Sequence, residues 1–113
     1  MDSCIFCKIV AGEISSAKVF EDDTVVAFRD VNPAAPTHVL VIPKKHVGRV
    51  TGLNADAASL LGHLLLVGAK VAAAEGIDTS GYRMLLNQGP DAGQLVDHLH
   101  LHVLGGHRLK GLG

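Results

Sequence analysis

The most informative segment of the sequence is His98-Leu99-His100-Leu101-His102-Val103, in which histidines alternate with aliphatic residues. In a β-strand, successive side chains point to opposite faces of the sheet. A strand here therefore places three imidazoles on one face and three aliphatic side chains on the other. The aliphatic face can pack in a core while the imidazoles line a surface, and we predict a strand near residues 96–104.

Together with this strand, the rest of the sequence predicts a single α+β domain over residues 1–113. Apolar residues at helical spacing predict a short N-terminal helix within residues 4–10 and a long helix over 56–75, with Asn54 as its N-cap and Gly76 just after its end. Further strands are predicted over residues 18–21, 24–28, 37–42 and 82–87, the first two as a hairpin. We expect a mainly antiparallel five-stranded sheet with the long helix packed on one face.

Composition excludes several classes of function. The 113 residues are 48% hydrophobic and 19% charged, which is typical of a folded globular domain and not of a disordered chain. A net charge of −1 and an aromatic share of 4% argue against a nucleic-acid partner. No signal peptide is evident, and His63 and Lys70 interrupt the most apolar stretch, so we expect no membrane span and a cytoplasmic location.

Three chemical interpretations of the histidine stretch remain open. The imidazoles could form a ladder of hydrogen bonds across the sheet, or three histidines could bind one zinc ion. The second interpretation strains a regular strand, because His98 and His102 would lie ~13 Å apart at their bases. In the third, one neutral imidazole attacks phosphorus while its neighbours donate protons. A separate Cys4-x-x-Cys7 pair could be a metal site, a redox pair or two buried thiols.

Three sequence blocks carry a family resemblance. They are Gly93-Gln94-Leu95-Val96-Asp97 together with the histidine stretch, Ala35-Pro36-Thr37-His38-Val39-Leu40-Val41-Ile42-Pro43-Lys44-Lys45-His46, and Gly81-Tyr82-Arg83-Met84-Leu85-Leu86-Asn87. In order and coverage they resemble the histidine triad (HIT) family, and within it the Hint-type nucleoside phosphoramidate hydrolases. The resemblance implies a homodimeric α+β enzyme that binds purine nucleoside monophosphates. Such an enzyme hydrolyses the phosphorus–nitrogen bond of their phosphoramidates without a catalytic cofactor.

The resemblance also implies roles for individual residues. His100 would be the nucleophile that forms a nucleotidyl-histidine intermediate, with His102 and His38 completing the catalytic group. Asp30 would bind the ribose, with Val31 beside it at the base pocket. The residues on the phosphate side would be Asn87, Gly93, Gln94 and Leu95, together with His100 and His102. At Leu95 many relatives carry a hydroxyl side chain, so we expect protonation of the leaving group to be weaker or to come from elsewhere.

The resemblance further implies a structural zinc site. Relatives with this N-terminal pattern bind zinc through two cysteines, the histidine after Pro-Lys-Lys and the first histidine of the triad, here Cys4, Cys7, His46 and His98. Two alternative functions stay open beside the phosphoramidase: a nucleotide-binding interaction module with little turnover, and a zinc-dependent hydrolase.

Overall fold

The structure, a computed structural model that describes residues 4–111, has one five-stranded antiparallel sheet and two α-helices. In chain order the elements are α1 (Ile5–Val10), β1 (Lys18–Glu21), β2 (Val25–Arg29), β3 (Thr37–Pro43), α2 (Ala58–Ala74), β4 (Tyr82–Leu85) and β5 (Leu101–Gly105). The strand order is β1-β2-β3-β5-β4. The predicted fold class is confirmed. The domain predicted over 1–113 also includes residues 1–3 and 112–113, which lie outside the described part.

The two faces of the sheet have different partners. On one face α2 buries Leu64, Val67 and Val71 against the alternate strand residues Leu101 and Val103. On the other face α1 buries Phe6 and Ile9 against a second apolar cluster, made of Val26, Phe28, Leu40 and Ile42. Burial of two faces by two helices is what the period-two alternation along β2, β3 and β5 requires.

The long helix begins later than predicted. A single 3-10 turn, Ala55–Ala57, precedes α2, and the Asn54 side chain caps that turn by accepting from the backbone N–H of Asp56. Gly76, at φ +74°, follows the helix as predicted and supplies a left-handed conformation that other residues rarely adopt. The predicted hairpin forms, with β1 paired to β2.

The expectation that His63 and Lys70 disqualify this segment as a membrane span is wrong. By length and composition alone, the helical segment Ala55–Ala74 is sufficient to cross a membrane. His63 and Lys70 do not lower the mean hydropathy of this segment enough to exclude it. In the structure one stripe of α2 covers the sheet, as a core helix does, while Leu65 and Leu66 remain exposed on the opposite side.

The last strand is shorter than the predicted 96–104. Its ladder with β3 runs from Thr37 opposite Gly105 to Val41 opposite Leu101 and stops there. Pro43 lies two residues further along β3 and has no N–H to donate, so the ladder cannot continue past it. His98 and His100 therefore lie on an extended segment before β5, and only His102 lies within the strand.

The packing of α2 on the sheet gives a test of the fold. A Cβ added at Gly68 would lie 2.8 Å from both Leu101 Cδ2 and Met84 Sδ, whereas one added at Gly62 would meet nothing within 4 Å. We predict that Gly68→Ala lowers the free energy of unfolding, because an overpacking cost of about 1–3 kcal/mol against buried Leu101 exceeds a helix-propensity gain of about 0.5–1 kcal/mol. The matched variant Gly62→Ala should raise it by about 0.5–1 kcal/mol through helix propensity. Urea denaturation measures both, and equal effects at the two positions would contradict this packing.

Candidate active site and metal centre

The three histidines of the 98–103 stretch lie on the α1 side of the sheet. The ring centroids of His100 and His102 are 4.9 Å apart, and Phe6 packs edge-on against His98 and His100 at 5.9 and 5.1 Å. The intervening Leu99 is fully buried in the opposite core. The alternation of faces predicted from the sequence therefore continues through the segment that precedes the strand.

A backbone carbonyl orients His100. The carbonyl oxygen of His98 lies 2.6 Å from His100 Nδ1. A carbonyl can only accept, so Nδ1 must carry the proton and Nε2 of the neutral ring must carry a lone pair. His100 is buried, and it lines a cleft of about 310 Å³. The geometry thus leaves one imidazole in the cleft with a nucleophilic nitrogen.

A second backbone group sets the opposite tautomer in His38 and His102. The N–H of Ala34 donates to His38 Nδ1 over 3.0 Å, so the proton of neutral His38 is on Nε2. His38 Nε2 lies 2.9 Å from His102 Nδ1 and donates to it. His102 therefore carries its own proton on Nε2, a buried atom with no partner among the described residues. The result is a donor beside the His100 lone pair.

Burial keeps this histidine pair neutral. Loss of solvent lowers the pKa of His102 to about 4, with smaller contributions from His100 and His38. Burial also lowers the pKa of His38, partly offset by Asp30, whose Oδ2 is 3.4 Å from His38 Nε2. At neutral pH both rings are therefore uncharged, which is the state that the tautomer assignment requires.

The cleft has an apolar wall that the sequence analysis did not identify. Its lining includes four apolar side chains, of which Ile5, Phe6 and Ile9 come from α1 and Phe28 comes from β2. The predicted ribose-side residue Asp30 lines the same cleft, as does Val31, which is largely exposed. The helical spacing of Ile5, Phe6 and Ile9 was visible in the sequence, but nothing there indicated which face of the sheet they cover.

Of the four residues predicted to contact the phosphate from the loop side, two line the cleft and two do not. Gly93, at φ +87°, and Leu95, which is 94% exposed, both line the cleft. Asn87 and Gln94 are not among its lining residues. Gln94 instead holds its own loop, because Oε1 accepts from the Gly89 N–H at 2.7 Å and Nε2 donates to the Val96 carbonyl at 3.0 Å. The roles assigned to these four residues stay predictions.

A separate cluster brings together the four residues predicted to bind metal. The ligand-type atoms of Cys4, Cys7, His46 and His98 all lie within 4.8 Å of one another. His98 Nδ1 is 3.4 Å from Cys4 Sγ and 3.6 Å from Cys7 Sγ, and His46 Nδ1 is 3.2 Å from Cys7 Sγ. Bond lengths of ~2.0–2.3 Å place the ligands of a tetrahedral zinc roughly 3.3–3.8 Å apart. The donor set and its spacing fit such an ion.

The hydrogen bonds that His98 and Cys4 make outside the cluster's centre also fit a bound metal. His98 is fully buried, and its Nε2 donates to the carbonyl of Pro43 over 2.8 Å, which leaves the lone pair on Nδ1 facing the thiols. A ligating imidazole characteristically donates its other N–H in this way. The backbone N–H of Cys7 donates to Cys4 Sγ at 3.3 Å, as it would to a thiolate.

The three-histidine zinc centre has no support in this geometry. In the described part of the chain, one candidate cluster contains only His98 of the stretch, and the other, made of Asp30, His38 and His102, contains only His102. In that second cluster the atoms nearest one another are already joined by a hydrogen bond, because His38 Nε2 donates to His102 Nδ1.

Comparison with known proteins agrees with the fold and with the histidine stretch. The model of the HIT domain family matches residues 11–109. The chain belongs to the HIT family. This HIT protein is 50% identical to an uncharacterised HIT-like protein of Synechococcus elongatus, over 96% of this chain and 94% of that one.

Two other similar proteins have names that state an enzymatic activity. The chain is 44% identical to the purine nucleoside phosphoramidase of Escherichia coli K12, over 96% of this chain and 91% of the relative. It superposes on the solved structure of a HIT family hydrolase from Clostridium thermocellum with a TM-score of 0.95 at 44% identity, covering 99% of this chain and 97% of the other. The predicted family is therefore confirmed.

The neutral pair His38 and His102 predicts a pH dependence of stability. In the unfolded chain both imidazoles regain the ordinary pKa of ~6.5. Between pH ~6.5 and ~4 the unfolded state then binds more protons than the folded one, so stability is complete above this range and is lost as the pH falls through it. We expect the free energy of unfolding to decrease on going from pH 7 to pH 5, and to decrease less in His102→Gln. Urea denaturation at several pH values tests this, and a flat or opposite profile would contradict it.

Proposed function

We propose that this protein hydrolyses purine nucleoside 5′-monophosphoramidates to a nucleoside monophosphate and an amine. The observation that carries the proposal is the pairing of a lone pair on His100 Nε2 with a proton on His102 Nε2 at one cleft. Attack on phosphorus with protonation of a leaving nitrogen needs these two groups side by side. The name of the Escherichia coli relative supports the same substrate class.

In the first step, His100 Nε2 forms a bond to the α-phosphorus while the phosphorus–nitrogen bond breaks. The departing amine nitrogen takes a proton from His102 Nε2. His38 Nε2, which donates to His102 Nδ1, holds the His102 ring in the orientation that this transfer needs. The product of this step is a nucleotide joined to His100, with the amine released as a neutral molecule. The His102 ring is left as an imidazolate, and its negative charge is balanced by the positive charge on the phosphorylated ring of His100.

In the second step, water attacks the same phosphorus and the bond to His100 Nε2 breaks. The proton that the water loses returns to His102 Nε2, so both histidines regain their starting tautomers. The sum is one phosphoramidate and one water converted to one nucleoside monophosphate and one amine. No metal takes part in this scheme, because every proton and bonding electron pair is supplied by the two imidazoles, the substrate and the attacking water.

Other residues of the cleft fit the nucleotide. A purine ring can lie against the apolar wall formed by Ile5, Phe6 and Ile9, since flat heteroaromatic rings favour apolar and aromatic surroundings. The Asp30 carboxylate can accept hydrogen bonds from ribose hydroxyl groups. Gly93 lets backbone N–H groups approach the phosphate without a Cβ in the way.

We further propose that the Cys4, Cys7, His46 and His98 cluster binds zinc in a structural role. Four nitrogen and sulfur ligands complete a tetrahedral shell and leave no position for water or substrate. A bound zinc ion would supply a cross-link between α1 and the segments that carry the two histidines. Because the cluster is closed, a zinc-dependent hydrolase is the less favoured alternative.

The second candidate function is a nucleotide-binding module with little turnover. The exposed Leu95 favours it, because an aliphatic side chain at the cleft rim can neither donate to a phosphate oxygen nor protonate a leaving group. In the phosphoramidase proposal His102 performs the protonation, so Leu95 is free to contact the leaving amine. Turnover separates the two functions directly.

We predict that His100→Ala lowers turnover of a fluorogenic adenosine phosphoramidate by roughly 10³-fold or more, since removing a nucleophile abolishes the first step. AMP binding should persist, because the apolar wall and Asp30 remain. The matched control His63→Ala removes an imidazole that lies on α2 and pairs with Asp22, away from the cleft, and it should leave turnover unchanged.

The same assay separates the remaining alternatives. Wild-type protein that binds AMP without any turnover would establish the binding module instead. Activity lost at once on chelation, with nucleotide still bound and the fold intact, would support the zinc-dependent hydrolase.

We also propose that the protein is a homodimer. Strand β4 lies at one edge of the sheet. Helix α2, which packs on one face of the same sheet, leaves the side chains of Leu65 and Leu66 exposed to 47% and 69%. A second copy pairing along β4 and covering these leucines would satisfy the free edge and bury the apolar surface.

We predict a mass in light scattering of about twice 11.8 kDa. Leu66→Glu should shift the protein towards the monomer, because a charge would be buried in the interface. Asp23→Lys, in the hairpin turn at the opposite edge of the sheet, should leave the mass unchanged. A monomeric wild type would contradict the proposal.

A further inference from the structure

Helix α1 belongs to the metal cluster and to the nucleotide cleft at the same time. Cys4 caps the helix and Cys7 lies in its first turns, and the residues between them, Ile5 and Phe6, line the cleft. Phe6 also packs edge-on against the His100 ring at 5.1 Å. The position of the apolar wall is therefore tied to the position of two thiols.

His98 makes the same connection from the other side. Its ring faces the thiols through Nδ1, while its backbone carbonyl accepts the proton of His100 Nδ1 at 2.6 Å. A shift of the His98 backbone that moved its ring away from the cluster would also displace this carbonyl. The tautomer of His100 would then no longer be fixed, since the proton would be free to move to Nε2.

Little else in the described structure holds α1 in place. A helix of six residues is not stable by itself in water. Its other attachment is the packing of Phe6 and Ile9 in the cluster below the sheet, which buries one side of the helix but supplies no hydrogen bond or coordinate bond to hold it there. Four bonds to one ion, from α1 and from two other segments, would fix both its position and its rotation.

We propose that Cys4, Cys7, His46 and His98 are positioning residues for nucleotide binding and for the nucleophile, so that metal occupancy controls the affinity of the cleft as well as the stability of the fold. This inference rests on the proposed function for the identity of the ligand. It goes beyond a structural zinc site in predicting that the folded, metal-free protein has a misplaced apolar wall and a free His100 tautomer.

The test compares zinc-loaded and metal-free protein at a temperature at which both are folded. Metal is removed with a chelator in the presence of a phosphine reductant, which keeps the thiols reduced without binding zinc. Three quantities are measured: the melting temperature, the Kd for AMP by calorimetry, and the proton and nitrogen resonances of His100 Nδ1–H. Lys8→Ala, on α1 but outside the cluster and the cleft, is the matched control and should behave as wild type.

We expect the Kd for AMP to rise on metal removal by about tenfold if α1 is docked in one-tenth of the molecules. The His100 Nδ1–H resonance should broaden or disappear. A lower melting temperature with an unchanged Kd and an unchanged resonance would overturn the inference, because the metal would then only stabilise the fold. Failure of the purified protein to bind zinc would also overturn it.

A second variant covers the case in which the metal-free protein unfolds. His46→Ala removes the one ligand that lies neither at α1 nor beside His100, and it leaves three others, so metal binding should weaken without being abolished. During a zinc titration of this variant, AMP affinity should follow zinc occupancy. Affinity independent of occupancy would contradict the inference.

The experiments distinguish a failure of the coupling between metal occupancy and the cleft from a failure of the proposed function. Lack of phosphoramidate turnover by the loaded protein would contradict the function and leave the His100 resonance as a test of the coupling, which needs no nucleotide. Equal AMP affinity and equal resonances with and without metal would contradict only the coupling.

Discussion

The carbonyl oxygen of Pro43 accepts a 2.8 Å hydrogen bond from His98 Nε2, and much of the site depends on this contact. Because Pro43 has no N–H, the ladder between β3 and β5 ends before it, and its carbonyl is free for a side chain. The bond fixes the His98 tautomer with its lone pair towards Cys4 and Cys7. The same residue carries the backbone carbonyl that orients His100, and the N–H of Leu99, which follows it, donates to the Val47 carbonyl at 2.6 Å. The end of β3 and the segment after it thus contact both the metal cluster and the residue that orients the nucleophile.

Backbone groups, more than side-chain pairs, determine the proton positions in the cleft. The carbonyl of His98 and the N–H of Ala34 act on two rings with opposite sign, since one accepts and the other donates. His100 is left with a lone pair on Nε2, and His102, through His38, is left with a proton on Nε2. Acid–base asymmetry between chemically identical side chains therefore arises from backbone hydrogen bonds, and burial keeps His38 and His102 neutral.

Much of this arrangement could be predicted from the sequence. Period-two alternation in the histidine stretch gave the correct faces, helical spacing located both helices, and the motif order identified the family. The periodic signals are local, and they can be recognised in the sequence because each follows from the fixed geometry of a helix or a strand. The grouping of His38 with His102, and of Cys4 and Cys7 with His46 and His98, followed from the resemblance and not from spacing.

The rest depended on contacts that no local pattern encodes. The late start of β5, at Leu101, depends on Pro43, a residue 55 positions from His98 that comes close to it only through sheet pairing. The bond from Ala34 to His38 depends on the path of the loop before β3, and an alanine carries no side-chain signal of it. Gln94 resembled a phosphate contact, yet its carboxamide is bonded within its own loop, which only the three-dimensional path of residues 89–96 reveals.

The proposed roles of the histidines are tested by their tautomeric states, measured by long-range proton–nitrogen NMR correlation at pH 7.5. We predict that His100 carries its proton on Nδ1, whereas His38, His98 and His102 carry theirs on Nε2. A His100 protonated on Nε2 in the folded, metal-loaded protein would leave no lone pair facing the cleft and would contradict the proposed nucleophile.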